Sequence, residues 1–420
     1  MADDPRGVVE LIARESYGRL VAYLAARTRD VAAAEDALAD AFLTALGTWP
    51  RDGVPRKPEA WLFTTARRRL IDRARHDRVH AEAEPTIRLL VDGLSHGKGA
   101  MNVAMDDLVF PDDRLKLLFV CAHPEVDRGM HTPLMLQVVL GLDAATIASA
   151  FLTSPAAMGQ RLSRAKARIR DAGLAFEVPD RRELPARLDA VLDAIYAAYG
   201  TGWDDVAGSD PRRAGLAQEA LWLVRTLLRL LPDEPEARGL LALVLYCEAR
   251  RPARRAANGD YVPMSAQDAR LWSAPHLEEA ERELAAAAAK RRPGRFQLEA
   301  ALQSAHVEGA LRGQTDWSAI AVLYEGLLRA TPTAGAFVGR AAALAEAESP
   351  AAGLSALNRI DPSLIKSYQP YWAVRAHLLR RAGRVDEALG AYDRAIGLTE
   401  DAATRQFLLC RRAELPLSGI

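Results

Sequence analysis

The sequence predicts an all-α chain of several modules. Apolar residues recur at helical spacing through most segments, while hardly any segment alternates as a strand would. Ser, Asp, Pro and Gly punctuate these stretches where helix ends require caps and stops. At 420 residues the chain exceeds the size at which one core keeps growing, so two or three domains are expected.

Taken in order, Val8 to Ala26 carries Val8, Leu11, Ile12, Leu20, Val21 and Leu24 at helical period. Val31 to Trp49 repeats the pattern through Ala34, Leu38, Phe42, Ala45 and Leu46. After the turn-rich stretch Pro50 to Pro58, a third helix is predicted from Glu59 to about Arg78, with Leu62, Phe63, Ala66, Leu70 and Ala74 facing inward. Residues 1–80 therefore read as one compact helical module. Its third helix is basic: Arg67, Arg68, Arg69, Arg73, Arg75 and Arg78 share the stretch with only Asp72 and Asp77. Asp36 and Asp40 lie four apart on the polar face of the second helix, where like charges repel. A basic partner surface would offset that cost, and a plain solvated acidic face is the other reading.

From Ala81 to Met105 the periodicity weakens, and Gly93, Gly97 and Gly99 with Ser95 and Asn102 suggest a flexible tether over 81–105. The string Gly93 to Gly99 has one residue too few between its glycines for a phosphate loop and lacks the following Ser or Thr, so it reads as linker. Helices resume near Asp113, and 106–178 reads as a second module.

Within it, Leu142 to Leu152 is a short amphipathic helix with Asp143 as cap. A tight turn at Thr153 to Pro155 leads into a longer helix, capped by Ser154 with Pro155 at its first position and stopped at Gly173. Met158, Leu162, Ala165 and Ile169 give that helix a buried face; Gln160, Ser163, Arg164 and Ala167 lie opposite, flanked by Arg161, Lys166, Arg168 and Arg170. The pair reads as a helix-turn-helix, whose second helix enters the major groove and meets base edges with its N-terminal half, here Ala157, Gln160, Arg161 and Arg164. Two basic helices on a chain of zero formal net charge point to binding at two places along one duplex, with modest non-specific affinity.

After Val178-Pro179 the chain becomes Ala/Leu-rich helical pairs broken by Pro and Gly. In Trp372 to Glu400, the residues Trp372, Ala376, Leu379, Gly383, Ala388, Tyr392 and Ala395 fall where a tetratricopeptide hairpin places its packing residues. Asp316 to Pro332, with Ile320, Tyr324 and Leu327, reads as half of another such unit, so 180–420 is expected to be a TPR-like α-solenoid. Its concave surface would suit a peptide or protein ligand.

Catalytic readings find no support. There is no His-Glu-x-x-His, no complete phosphate loop and no dinucleotide-binding glycine pattern, so no catalytic residue and no cofactor is assigned. Cys121 with His123, and His76 with His80, each offer two ligands where a structural zinc site needs four, so no metal is expected either. Cys121, Cys247 and Cys410 are far apart, as in a reducing compartment, and neither a membrane span nor a secretory leader is visible. A cytoplasmic protein is expected.

Two strings, Ala34-Glu35-Asp36-Ala37-Leu38-Ala39-Asp40-Ala41-Phe42 and Ala60-Trp61-Leu62-Phe63-Thr64-Thr65-Ala66-Arg67-Arg68-Arg69-Leu70-Ile71-Asp72-Arg73, resemble region 2 of extracytoplasmic-function (ECF) sigma factors of bacterial RNA polymerase. The helix-turn-helix resembles region 4 of that family, and the tail resembles a branch in which region 4 is followed by a tetratricopeptide-like extension. Supporting strings are Trp49-Pro50-Arg51-Asp52-Gly53-Val54-Pro55, Ala172 to Pro179, Leu231-Pro232-Asp233-Glu234-Pro235-Glu236, Gln267-Asp268 before Trp272, and Asp316-Trp317. The resemblance implies that Asp36 and Asp40 dock on the clamp helices of core RNA polymerase. The arginines Arg67 to Arg78 would hold the −10 promoter element, with the Arg51 to Pro58 loop taking a flipped base. Ala157, Gln160, Arg161, Ser163, Arg164, Lys166 and Arg168 would contact the −35 element. The expected function is thus an alternative sigma factor, regulated through its extension. The competing reading is a stand-alone helix-turn-helix regulator with a solenoid sensor, which would need neither the acidic helix nor a second basic one.

Overall fold

The computed structural model describes residues 4–80, 113–139, 141–151, 153–180, 182–204, 211–399 and 401–415, and among these the chain is helical with one isolated β-bridge. The tether predicted over 81–105 lies outside the described residues. The chain divides into two compact units, 1–223 and 224–420.

In the first unit, α1 (Pro5–Thr28), α2 (Val31–Asp52) and α3 (Pro58–His80) form the predicted three-helix module. Their ends follow from the sequence. The Asp4 carboxylate accepts from the amides of Arg6 and Gly7, Pro5 fills the first helical position, and Asp30 accepts from Ala33 N at 3.0 Å. Leu20, Val21, Leu24, Leu38, Leu62 and Leu70 fill the core, joined by edge-on ring pairs Tyr23–Phe63 and Trp49–Trp61 at 5.1 and 5.4 Å. The helix α2 runs three residues beyond the predicted stop at Trp49. Pro50 lacks one donor in the last turn, but its neighbours hold, and Gly53 closes the end at φ +84° by donating to the Trp49 carbonyl.

Among the described residues four further helices come next: α4 (Arg114–Cys121), α5 (Arg128–Val138), α6 (Ala144–Ala150) and α7 (Pro155–Asp171). Asp143 caps α6 through the amides of Ala145 and Thr146, both at 2.9 Å, and Ser154 caps α7 through Ala157 N at 3.2 Å. Met158, Leu162, Ala165 and Ile169 are the buried face of α7, as their spacing predicts.

This second group packs directly on the first, α4 and α5 against α1 and α7 against α2. At the crossing, a Cβ on Gly18 would lie 1.9 Å from the Val139 carbonyl oxygen, so only glycine lets the chains approach so closely. Next come α8 (Leu184–Asp204), which buries Leu188, Val191, Leu192 and Ile195 against α4 and α5, and α9 (Pro211–Leu230). Arg114, 7% exposed, meets Glu219 of α9 and lies 3.7 Å under the Trp222 ring. The composition shift near residue 180 therefore does not coincide with the division of packing, which falls inside α9.

The second unit runs through α10 (Pro235–Arg250), α11 (Ala274–Ala288), α12 (Arg295–Arg312), α13 (Trp317–Ala330), α14 (Ala334–Ala347), α15 (Pro350–Asn358), α16 (Pro362–Ile365), α17 (Gln369–Arg381), α18 (Val385–Gly397) and α19 (Ala402–Ala413). Most consecutive helices pack on each other, including α17 on α18 about the Gly383 turn at φ +72°. Ala376, Leu379, Ala388, Tyr392 and Ala395 are buried between that pair. One segment departs from the helical-pair expectation. Residues 251–273 form short 3₁₀ turns and the Arg255–Tyr261 bridge, then touch the last helix through Arg255–Asp401 at 3.0 Å and Tyr261–Phe407 ring contact at 5.5 Å.

Candidate nucleic-acid interface

The basic helix α3 shows Arg68, Arg69 and Arg73 to solvent, with Arg67 half-buried. Arg75 and Arg78 continue the helix, but their side chains lie outside the described residues, as do those of His76 and His80. Arg73 reaches across to Asp36 of α2 at 3.3 Å in an ion pair open to water, 59% and 69% exposed. Asp40, one turn on, is exposed. Asp36 and Asp40 thus lie on one polar stripe of α2, as their spacing predicts, with one of them already facing a cation.

The second basic helix distributes its cations differently. Gln160, Arg161, Ser163 and Arg164 form an exposed patch on the N-terminal half of α7, with Ala157 half-buried beside it. Arg168 is exposed but turns to Glu125, bonding its carboxylate and, at 3.3 Å, its carbonyl. Lys166 leaves the patch altogether: its ammonium meets the Glu35 carboxylate of α2 at 2.7 Å, with the two side chains 14% and 13% exposed. Of the seven residues expected on the duplex-facing side, Lys166 is therefore turned inward in this arrangement. It follows Ala165 and precedes Ile169 by three, on the flank of α7 that rests on α2.

Glu35 is the residue that sequence reasoning passed over. Its position offered a signal, since it lies one turn after Val31 and three before Leu38, at the edge of the apolar stripe rather than on the acidic one. Burial pushes its carboxyl above the usual range, and Lys166 opposes that shift. Cys121 of α4 is fully buried beside this pair, its thiol pushed up by burial first and by Glu35 second. Tyr17 also lines the contact; its ring lies against the position of Gly141, and burial with Glu35 and Asp36 raises its hydroxyl. Arg27 of α1 and the buried Asp113 cap of α4 add a pair at 3.7 Å.

The arrangement ties the two basic helices to neighbouring residues. Arg73 of α3 is held by Asp36 and Lys166 of α7 by Glu35, and consecutive Cα atoms are about 3.8 Å apart. Among the described residues no group of three His, Cys, Asp or Glu side chains could hold a metal ion. His123 accepts the Glu125 amide at 3.1 Å through Nδ1. No described helix is long and apolar enough to cross a membrane.

Comparison with known proteins bears on both units. Residues 12–79 match the model of sigma-70 region 2, which covers α1 to α3. Residues 187–288 match a family of unknown function, DUF6596, spanning α8 to α11 and the excursion between α10 and α11. An uncharacterized protein of Rhizobium meliloti (strain 1021) is 39% identical over 394 residues, covering 94% of this chain and 92% of that protein. No solved structure matches.

Proposed function

The chain belongs to one family with the Rhizobium meliloti protein and carries a sigma-70 region 2, the mark of a sigma factor for promoter recognition, and from that premise we propose an alternative sigma factor of the ECF type. The observation that carries this reading is the coincidence of the region 2 match with α1–α3, where an acidic stripe and a basic helix share one small module. A stand-alone regulator needs neither.

On this reading Asp36 and Asp40 dock on the clamp helices of core RNA polymerase, and Arg67, Arg68, Arg69, Arg73, Arg75 and Arg78 hold the −10 element as its strands part. Unstacking a base costs a few kcal/mol, which a positive surface and a pocket can offset. The α6–α7 pair acts as the region 4 helix-turn-helix. Gln160, Arg161, Ser163 and Arg164, exposed together, read the −35 element, with Ala157, Lys166 and Arg168 at its margins. The protein acts with the polymerase and has no catalytic centre of its own. The helices beyond α7 form a TPR-like regulatory extension open to a peptide or protein ligand; buried Ala376, Leu379, Ala388, Tyr392 and Ala395 at tetratricopeptide packing positions support it. A cytoplasmic location follows from these partners.

Asp36→Arg with Asp40→Arg tests the reading. Both residues are exposed, so the fold survives by circular dichroism while co-purification with core polymerase and promoter-specific run-off transcription are lost. A folded double variant that binds core as tightly as the wild type would overturn the docking assignment.

A further inference from the structure

We propose that the open end of the α11–α12 hairpin is a docking groove for a basic amphipathic helix of a partner protein, whose lysine or arginine seats on Glu281 and whose apolar face lies on Leu277 and Leu311. The inference rests on the reading of the helices beyond α7 as a ligand-binding extension, and it adds where the ligand sits and what chemistry it carries.

The groove follows from the way three helices pack. Both α11 and α12 rest broadly on α10 and touch each other far less. They run antiparallel from the connection at 289–294, as the Ser304–Glu281 bond across them requires. Away from that connection, a cleft of about 710 Å³ lies between the N-terminal part of α11 and the C-terminal part of α12. Leu277 and the buried Val307 line it, and Leu311, 60% exposed, forms its lip. Covering this apolar strip would remove from water a surface that the unit itself leaves open.

The charges around the cleft select the partner. Helix α11 carries four glutamates, and the two outside the cleft are each closed on an arginine: Glu279 on Arg225 of α9 at 2.7 Å, and Glu283 on Arg238 of α10. The other two, Glu278 and Glu281, line the cleft, and among the described residues no cation pairs with either. Two arginines share the cleft. Arg312 is taken by Glu308 at 2.8 Å, and Arg282 follows Glu281 directly in the chain, where helical neighbours do not face each other. Glu281 itself is fixed in place. The hydroxyls of Tyr246 and Ser304 both donate to its Oε1, Ser304 at 2.8 Å, and Oε2 has no donor among the described residues. Burial and then the bond to Glu281 push the Tyr246 hydroxyl up, so it keeps its proton and remains a donor. Two neutral donors position the carboxylate without cancelling its charge, which suits a charge-assisted bond to an incoming cation. An acidic partner would meet Glu278 and Glu281, and a small cation would leave Leu277 and Leu311 in water. A helix with a basic edge and an apolar face satisfies both, in the helix-in-groove mode.

The test uses a phage-displayed library of random peptides panned on the full chain, with counter-selection on the full chain carrying Glu278→Lys and Leu311→Ser, both at exposed positions. The expected consensus sets Lys or Arg beside apolar residues at about three- or four-residue spacing. That peptide, labelled with fluorescein, is titrated against single variants whose folding is followed by circular dichroism. Glu281→Gln keeps an acceptor for Tyr246 and Ser304 and removes only the charge, and it weakens binding by roughly tenfold. Leu311→Ser weakens it by a smaller factor, while Glu348→Gln, exposed and outside the cleft, leaves it unchanged. Enrichment of acidic or uncharged peptides, no enrichment beyond the counter-selected variant, or equal affinity for Glu281→Gln and the wild type overturns the groove. The same peptide is then added to promoter-specific transcription by core polymerase with the full chain. If it binds through Glu281 and Leu311 yet transcription does not change, the groove stands and the regulatory role of the extension is overturned.

Discussion

The two basic helices of the first unit carry similar charge and use it in opposite ways. Along α3, Arg68, Arg69 and Arg73 face water, and the partner that Arg73 finds is an exposed carboxylate that solvent largely screens. Along α7 the N-terminal half keeps Gln160, Arg161, Ser163 and Arg164 outward, while Lys166 is spent on a carboxylate inside the molecule. Counting cations on a helix therefore measures what it could offer a duplex, and burial decides what it offers in a given state. The difference has a source in scaffolding. The helix α3 is carried by its own three-helix module, whereas α7 rests on α5, α6 and α2, and α5 rests in turn on α8.

That dependence yields the largest effect. A chain ending at residue 180 loses α8 and α9, uncovers the face that Leu188, Val191, Leu192 and Ile195 cover, and strips Arg114 of Glu219 and Trp222. We expect α4 to α7 to unfold in that fragment while α1 to α3 persist, read by residue-resolved hydrogen exchange. A chain ending at 223 keeps both. Equal protection of α3 and α7 in the shorter fragment would erase the contrast between them.

Next in size is the contrast between the two tethers. Glu35→Ala leaves Lys166 mostly buried and unpaired, a loss of about 3 kcal/mol to the first unit, whereas Asp36→Ala costs about 0.5 kcal/mol or less. Double-variant cycles on Glu35 with Lys166 and on Asp36 with Arg73, followed by urea unfolding at low and high salt, measure both couplings. Similar couplings that fade together with salt would show the two helices to be held alike.

Base readout comes next. Gln160→Ala or Arg164→Ala should relax preference in the upstream element, at about 1–3 kcal/mol for each good bidentate contact. Arg68→Ala and Arg69→Ala should instead slow strand opening downstream. Footprinting and permanganate reactivity on a selected promoter separate the two outcomes, and identical defects from both pairs would merge the helices into one binding surface.

The smallest effect lies in the second unit and serves as a control without charge on either basic helix. His306, packed edge-on against Trp317 at 5.6 Å, has its imidazole pushed down to about 4 by burial and then by Arg250. A lowered folded value means stability that is complete above the unfolded range and lost as pH falls from about 6.5 to about 4. The melting temperature should drop across that window by a few degrees more in the wild type than in His306→Gln, at roughly 2–4 °C per kcal/mol for a unit of this size. Parallel slopes in the two proteins would show that His306 is hydrated when folded.

Much of this was legible in the sequence because it is local. The helical period gave α1, α2, α3 and α7 and most of their buried faces, although Leu11 and Leu46, on the predicted stripes of α1 and α2, stand exposed, and the caps Ser154 and Asp143 act where they were expected. What could not be read is tertiary. Glu35 meets a lysine 131 residues away, and no spacing rule reaches that far. The composition shift near 180 marks where the Ala/Leu-rich pairs begin, yet α8 packs backward onto α4 and α5, so the division of packing comes later. Residues 251–273 carry Arg, Pro and Asp rather than an apolar period, and part of their order comes from partners at the far end of their unit.

Stacked helical pairs that touch only their neighbours melt from a free end, one pair at a time. In the second unit the last helix is fastened back to the first long connection by Arg255–Asp401 and by Tyr261 on Phe407. Fraying at α19 must therefore break contacts that also hold residues 255–261, so the terminal turns lose the independence that an open stack allows. The end helix and the 255–261 segment lend each other order, so opening one weakens the other.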